Sequence, residues 1–265
     1  MPKVSVIISV YNGSKFLDQA IESILKQTFV DFEFLIVDDA STDSCPEIIS
    51  TWAKKDSRIS VIKNNLNIGL TKSLNKGIEM AKGEYIARID ADDVCYPKRL
   101  EKQVAFLDAN KNCALVGSWA EIINDKNNIL RVVKYPTESA KLKRDLIKYN
   151  PFFHSSIMIR KSTLTNVGMY DENFRFAQDY ELYFRIAKKY DIANLPETLI
   201  KYREIKDSIT SKKNRKQISF VIKAKLKALR EGQYPKWYYI YIIKSYFAWI
   251  LPVNLRRGIK TLFHF

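Results

Sequence analysis

Three carboxylates fall within four positions, Asp90-Ala91-Asp92-Asp93, directly after the apolar run of residues 85–89. Like charges this close raise the cost of ionising one another, and a bound cation removes that cost. Hard carboxylate oxygens suit Mg2+ or Mn2+, and either ion can bridge the phosphates of a diphosphate ligand. The plainer alternative is a capped turn ahead of a helix opened by Pro97, but the position at the end of a strand favours the cation. A second acidic pair, Asp38-Asp39, also follows an apolar strand, and Tyr11 follows the first one. An aromatic ring stacks on a nucleobase and a carboxylate accepts from a base imide N–H, so these residues are candidates for a uridine pocket. Taken singly, Asp39 also reads as an N-cap of the turn at residues 39–42, and Tyr11 as rim packing. Neither G-x-G-x-x-G nor G-x-x-x-x-G-K-[S/T] occurs, which weighs against a hydride-transfer enzyme or a P-loop phosphotransferase and leaves the phosphates to the metal.

These residues need a scaffold that gathers strand ends. Val- and Ile-rich runs at residues 4–10, 34–37, 59–62 and 85–89 predict buried strands. Helical spacing separates them: Phe16-Leu17, Ala20-Ile21 and Ile24-Leu25; residues 46–53 after a cap at Thr42 to Ser44; and residues 70–81, stopped by Gly83. Alternation of this kind predicts an α/β layer with a largely parallel sheet, whose ligands bind beyond the carboxyl ends of the strands. The segments after residues 10, 37 and 89 therefore converge on one cleft. Farther on, helices are expected at residues 98–108 and 179–189, and strands at 114–118, 129–133 and 156–159.

The 265 residues, 46% of them hydrophobic, bury a full core. Three scattered cysteines and two histidines suggest neither a disulfide framework nor a zinc site, and point to a reducing, cytosolic setting. The first residues lack the longer apolar core of a secretory signal, so export is not expected. The net charge of +15 is unevenly placed: residues 1–200 hold 28 Lys and Arg against 26 Asp and Glu, and residues 201–265 hold 16 against 3. An anionic partner is implied for the tail, either nucleic acid or the anionic lipid of a cytoplasmic leaflet.

Taken together the motifs resemble those of the family 2 glycosyltransferases, inverting enzymes of the GT-A fold. The matching stretches are residues 4–13 (VSVIISVYNG), 33–43 (EFLIVDDASTD), Asn67-Ile68-Gly69, 83–93 (GEYIARIDADD) and 176–185 (FAQDYELYFR), and the resemblance covers about residues 3–210. Residues 150–160 (NPFFHSSIMIR) and 194–203 (NLPETLIKYR) look like the bacterial surface-polysaccharide branch. The resemblance implies a GT-A domain over residues 1–210, with a nucleotide-sugar half at 1–95 and an acceptor half at 96–210. By it, Ser9, Tyr11 and Asp39 hold uridine, while Asp90 and Asp92, with Ala91 between them, hold ribose and metal-diphosphate. Asp92 is the favoured direct metal ligand. Asp179 matches the catalytic base, with Gln178 where the family more often has Glu. As the residue before the motif by two, Arg88 either contacts the donor or braces the acidic cluster. His154 is either a structural histidine or faces the diphosphate or acceptor. The implied reaction is a single displacement from a UDP-sugar, carrying a hexose or N-acetylhexosamine, to a glycan acceptor, with Asp179 taking the acceptor proton.

The tail, residues 211–265, reads as basic and aromatic helix. Residues 237–251 (WYYIYIIKSYFAWIL) make a helix of about 22 Å, short of the roughly 30 Å hydrocarbon core. Flanked by cations at residues 223–230 and 256–260, it predicts an interfacial attachment to the inner face of the plasma membrane, beside a lipid-linked acceptor; its rival is packing on the catalytic domain or a second subunit. Other readings are an inactive GT-A scaffold, a sugar nucleotidyltransferase, which the missing Gly-rich loop disfavours, and a nucleic-acid binder. That last reading leaves the acidic strand end unexplained, so no nucleic-acid partner is expected.

Overall fold

The computed structural model describes residues 1–205 and 214–250. A strand buried on both faces needs neighbours on both edges, and β1 (Val4–Val10) lies parallel between β2 (Phe32–Asp38) and β4 (Tyr85–Arg88). β3 (Ile59–Lys63) extends the sheet beyond β2, also in parallel. The crossovers are α1 (Ser14–Leu25), α2 (Cys45–Lys55) and α3 (Leu70–Met80). Alternation along β1 divides the interior: Val4, Val6, Ile8 and Val10 face a core shared with Leu17, Ile21 and Ile24 of α1, and Ile7 faces a core shared with Leu74 and Ile78 of α3.

Past β4 the sheet becomes mixed. β5 (Val94–Cys95), β6 (Cys113–Ile123), β7 (Ile129–Val133), β8 (Met158–Arg160) and β9 (Asp191–Arg203) complete it, in the order β3-β2-β1-β4-β8-β6-β9-β5 with β7 pairing β6. Around it lie α4 (Arg99–Ala109), α5 (Ser139–Leu146), α6 (Lys161–Val167) and α7 (Gln178–Lys189). This mixed α/β sheet, parallel across its first four strands, is the GT-A arrangement that the motifs imply.

The early strands and helices lie where periodicity places them, within a few residues. β6 is longer than the expected 114–118, and Ser156 belongs to a 3-10 turn (His154–Ser156) ahead of β8. β9 has no counterpart in the periodicity because Pro196 and the polar residues around it break the pattern. The strand accommodates them with a bulge: Ser118 pairs with Leu195 and Trp119 with Thr198, so Pro196 and Glu197 swing out exposed.

The junction of β4, β8 and β6 is held by buried polar side chains. The fully buried Arg99 donates to the carbonyls of Arg88 (2.8 Å) and Ile157 (3.0 Å), and Gln103 to those of Val116 (3.1 Å) and Ser156 (2.6 Å). Backbone groups at a strand end that would otherwise be buried without partners are satisfied in this way, which fixes the exit of β4.

α8 (Asn214–Arg230) and α9 (Ile240–Ile250) follow, joined through a 3-10 turn at Lys236–Tyr239. Ala224, Ala228, Leu229 and Tyr238 lie in the same core as α7, while Ile243, Tyr246, Phe247 and Ile250 of α9 are exposed. Among the described residues no helix is long and apolar enough to cross a membrane. The cations at residues 256–260 and the expected start of the tail at residues 211–213 lie outside the described residues.

Gly83, just before β4, is set by close approach: a Cβ there would lie 2.5 Å from the Ser5 backbone nitrogen and 2.7 Å from the Val4 carbonyl carbon. Gly83→Ala is expected to cost about 2 kcal/mol through overpacking, seen as a lower urea midpoint with an unchanged m-value; an unshifted midpoint would show that the strand edge gives way freely.

Candidate active site

The parallel ends of β1, β2 and β4 put the segments after Val10, Asp38 and Arg88 on one edge. The Asp39 N–H donates to the Val10 carbonyl (2.9 Å), and a Cβ at Gly13 would sit 3.6 Å from that of Ala91, so the three loops touch.

At the end of β4, Arg88 is 3% exposed and forks its guanidinium onto both oxygens of Asp90. Ser155 completes the node: its hydroxyl donates to Asp90 Oδ2 (3.0 Å) and accepts from the Asp90 N–H (3.0 Å) and from Arg88 Nη1 (3.2 Å). Burial works to raise Asp90, but the charge and fork of Arg88 prevail and hold its carboxyl below the usual range. Asp92 and Asp93 have no such partner. Burial, then the Asp90 charge, pushes Asp92 up to about 6, and burial with both neighbours pushes Asp93 well above the ordinary carboxylate value. Asp93 Oδ1 accepts the Arg203 N–H (2.7 Å), whereas Asp93 Oδ2 is buried without a partner. Carboxylate oxygens of Asp90, Asp92 and Asp93 lie within 4.8 Å of one another. A hard-oxygen donor set with an orphaned buried oxygen and two strained carboxyls fits a divalent cation, and because Arg88 already neutralises Asp90, the charge left for the cation is that of Asp92 and Asp93.

On the β1 and β2 side, Ser9 is half-buried and the Tyr11 ring is 51% exposed. Asp39 is buried and accepts three donors from one loop: Asn64 Nδ2 (2.8 Å), the Ile68 N–H (2.9 Å) and the Gly69 N–H (2.8 Å). It therefore shapes the loop that leads into α3 and does not cap the turn at residues 39–42, which the Asp38 carboxylate closes by accepting the Ser41 N–H (3.0 Å). The neighbouring loops are stapled by Asn12, which accepts the Thr42 N–H (2.8 Å) and donates its own N–H to Ser41 Oγ (3.1 Å). Both Asn12 and Ala40 hold left-handed backbone (φ 50° and 62°), a cost that Asn bears more easily than Ala.

From the other half, α7 delivers Asp179 in its first turn behind Ala177, again left-handed at φ 53°. The half-exposed carboxylate accepts Asn150 Nδ2 (3.0 Å). Burial raises its pKa, and the Tyr180 N–H, the Arg88 charge and Asn150 only partly offset that, so Asp179 has more proton affinity than an exposed aspartate. The same Arg88 charge acts on Asp179 and on His154. Burial, then Arg88, holds His154 well below its ordinary value, so it is a neutral imidazole, with Nε2 hydrogen-bonded to the Tyr170 hydroxyl (2.8 Å). The site thus gathers Asp90, Asp92, Arg88, His154 and Asp179 around one buried guanidinium.

Sequence reasoning passes over four residues here. Ser155 carries no signal beyond following His154. Asn150 and Arg203 fall inside the surface-polysaccharide stretches without a role to mark them, although Arg203 donates from Nε to the Asp92 carbonyl (2.8 Å) and packs its guanidinium over Phe16 (4.1 Å). Asn64 lies ahead of the Asn67-Ile68-Gly69 motif and is recognisable only through its bond to Asp39.

Comparison with known proteins agrees with this geometry. The O-antigen biosynthesis glycosyltransferase WbnJ of Escherichia coli is 34% identical over 209 residues, 76% of this chain and 79% of that protein. Staphylococcus aureus TarS 1–349 in complex with UDP-GlcNAc superposes with a TM-score of 0.69 at 21% identity, over 84% of this chain and 66% of that one. The mannosyltransferase PcManGT of Pyrobaculum calidifontis, in complex with GDP-Man and Mn2+, gives 0.69 at 18% identity, over 98% and 79%. The sequence model of Glycosyl transferase family 2 matches residues 5–174, and with the acidic strand end, the helix that carries Asp179 and this fold in place, the chain belongs to that family of glycosyltransferases.

Proposed function

We propose that this glycosyltransferase moves a hexose or N-acetylhexosamine from a UDP-sugar to a hydroxyl of a glycan acceptor, with inversion, in assembly of a bacterial surface polysaccharide. The observation that carries the reading is the placement of a strained acidic cluster and an Asp179 of raised proton affinity about the buried guanidinium of Arg88. A nucleotide-sugar donor agrees with the ligands named for TarS and PcManGT, and the pathway with the name of WbnJ.

In this reading Ser9, Tyr11 and Asp39 bind the uridine, with Tyr11 offering its exposed face to the base and Asp39 holding the loop beneath it. Asp92, assisted by Asp90 and Asp93, holds Mn2+ or Mg2+, which supplies positive charge to the departing diphosphate. Asn150 orients Asp179 so that its free oxygen faces the acceptor. As the acceptor oxygen forms its bond to the anomeric carbon, the bond to the diphosphate breaks, the electron pair leaves with UDP, and the acceptor proton passes to Asp179. One displacement inverts the anomer. Neutral His154, held by the buried Tyr170 hydroxyl, adds no charge to the site.

The C-terminal helices extend the proposal to a lipid-linked acceptor. α9 exposes Ile243, Tyr246, Phe247 and Ile250, with the neighbouring Trp237 64% exposed and Lys244 on the same helix. Exposed aromatic and aliphatic side chains beside lysines suit the headgroup layer of an anionic membrane, so the chain lies against the inner face of the plasma membrane through this surface.

The experiment that tests the reaction is release of nucleoside diphosphate from a panel of UDP- and GDP-sugars, with and without Mn2+. One donor is expected to be hydrolysed slowly and only with metal. Asp179→Asn should lower kcat about 10²- to 10⁴-fold at little cost to donor KM, and Asp92→Ala should abolish the metal response; release indifferent to metal and to both changes would sink the proposal.

Stability follows from the strained cluster. Asp92 has its pKa raised to about 6, so its contribution to stability is full at low pH and is lost as pH rises through about 6. In metal-free protein, Asp92→Asn is expected to raise Tm at pH 7.5 and to leave it nearly unchanged at pH 4. The variant should also lose the Mn2+-dependent rise in Tm of the intact protein; a gain that is equal at both pH values would contradict the assignment.

For the membrane, the intact chain should co-sediment with vesicles containing anionic lipid. The double change Ile243→Glu and Phe247→Glu should leave it in the supernatant with donor hydrolysis intact, and equal sedimentation of both proteins would place the attachment elsewhere.

A further inference from the structure

Four aromatic side chains form a connected row in the acceptor half. Tyr149 stacks on Tyr135 (centroids 6.0 Å, planes 27° apart), Tyr135 tilts against Phe153 (5.3 Å), and Phe153 against Tyr202 (5.2 Å). All four are half-buried, and Tyr135 and Tyr149 belong to neither apolar core. Among the described residues the hydroxyls of Tyr135, Tyr149 and Tyr202 make no hydrogen bond, whereas those of Tyr85, Tyr96, Tyr170 and Tyr180 are each bonded.

The two ends of the row are what give it meaning. Tyr149 precedes Asn150, whose amide holds Asp179. Tyr202 precedes Arg203, whose N–H binds Asp93 and whose side chain binds the Asp92 carbonyl. Between them Phe153 lies two residues from Ser155, the hydroxyl bonded to Asp90. The row therefore links the residue before Asn150, the partner of Asp179, to Tyr202, whose hydroxyl feels the charges of Asp93, Asp90 and Asp92. Burial and the charges of Asp93, Asp90 and Asp92 push the Tyr202 hydroxyl up, so it stays a neutral donor at that end.

Resting on the transferase reading above, we propose that Tyr149, Tyr135, Phe153 and Tyr202 are the platform on which the acceptor saccharide lies. A pyranose carries a face of C–H bonds ringed by hydroxyls. Flat aromatic faces take the C–H side, and the tyrosine hydroxyls take the rim. The four members of the row are neutral, and the cations that face it are already paired: Arg144 and Lys148 beside Tyr149 with Asp145, and Arg131 beside Tyr135 with Glu204, while Lys134 lies over Trp119 (5.0 Å). The platform thus selects a neutral sugar at the reacting end of the acceptor and leaves any lipid-borne charge to lie farther away.

The test uses the full chain with UDP and Mn2+ and three probes: the methyl β-pyranosides of glucose, galactose and N-acetylglucosamine. Saturation-transfer NMR titrations report their binding, and donor release to water reports the nucleotide side. Tyr149→Leu and Tyr135→Leu remove a flat face at positions outside the cores. At least one pyranoside is expected to bind the intact protein, most closely through C–H protons of one ring face, and to weaken about three- to tenfold in each variant, the worth of one aromatic contact. Donor release to water should be unchanged. Donor release without binding of any of the three probes, or with equal binding in both variants, overturns the platform alone. Absence of donor release from the intact protein overturns the transferase reading and the platform with it.

Discussion

The site depends on one buried ion pair. Arg88 sits at the last position of a strand enclosed on both sides, where an unpaired guanidinium would be too costly to keep. Its fork onto Asp90 answers most of that cost, and Ser155 hydrogen-bonds both members of the pair, while Arg88 Nε is left buried without a partner. The pair then sets the electrostatics of everything around it: Asp90 stays ionised, His154 stays neutral, and the rise in Asp179 is moderated but not cancelled. With Asp90 spoken for, Asp92 and Asp93 make no ion pair among the described residues, and burial beside one another raises both, a penalty that a divalent cation would relieve.

Support for this node comes from side chains far away in sequence. Arg99 and Gln103 of α4 satisfy carbonyls of β4, β6 and the 3-10 turn, so the exit of β4 cannot drift relative to Ser155. Arg203, arriving on β9, ties Asp92 and Asp93 to Asn124 and Gln19. α3 is anchored at both ends of its role: Asp39 fixes its entry through Gly69, and Asn75 exchanges hydrogen bonds with the backbone of Tyr170, the partner of His154. The Asp39 loop and the His154–Tyr170 side of the site are thereby built on one shared helix.

The basic, aromatic tail is more than an appendage. One side of α8 enters the core of α7. Lys227 pairs with Glu181, two residues past Asp179, and the buried Lys225 joins the Lys148 carbonyl (3.0 Å) to Ser245 of α9 (3.0 Å). With no carboxylate beside it, Lys225 is lowered by burial to about 8. The Lys148 carbonyl is therefore braced by the helices that also carry the exposed apolar surface: one face of the pair packs on the domain and the other is exposed.

The sequence by itself determined the parts whose signal is local. Periodicity placed β1 to β4 and α1 to α3, because a buried strand and an amphipathic helix write their environment into consecutive residues. The clustering of Asp90, Asp92 and Asp93 at a strand end marked a candidate cation site, and ordered motifs singled out Asp179 as the expected base. Tertiary structure alone decided which partner each charge received. Arg88 had two readings until its fork onto Asp90 was seen, Asp39 proved to hold a loop 25 to 30 residues away, and Ser155, Asn150 and Arg203 became visible only through bonds spanning 65, 29 and 111 residues. The aromatic row is of the same kind, since its members come from four separate places in the chain. Contacts between distant segments leave no period in the sequence, and a hydrogen bond or ring contact is decided by a few ångströms that only the folded chain fixes.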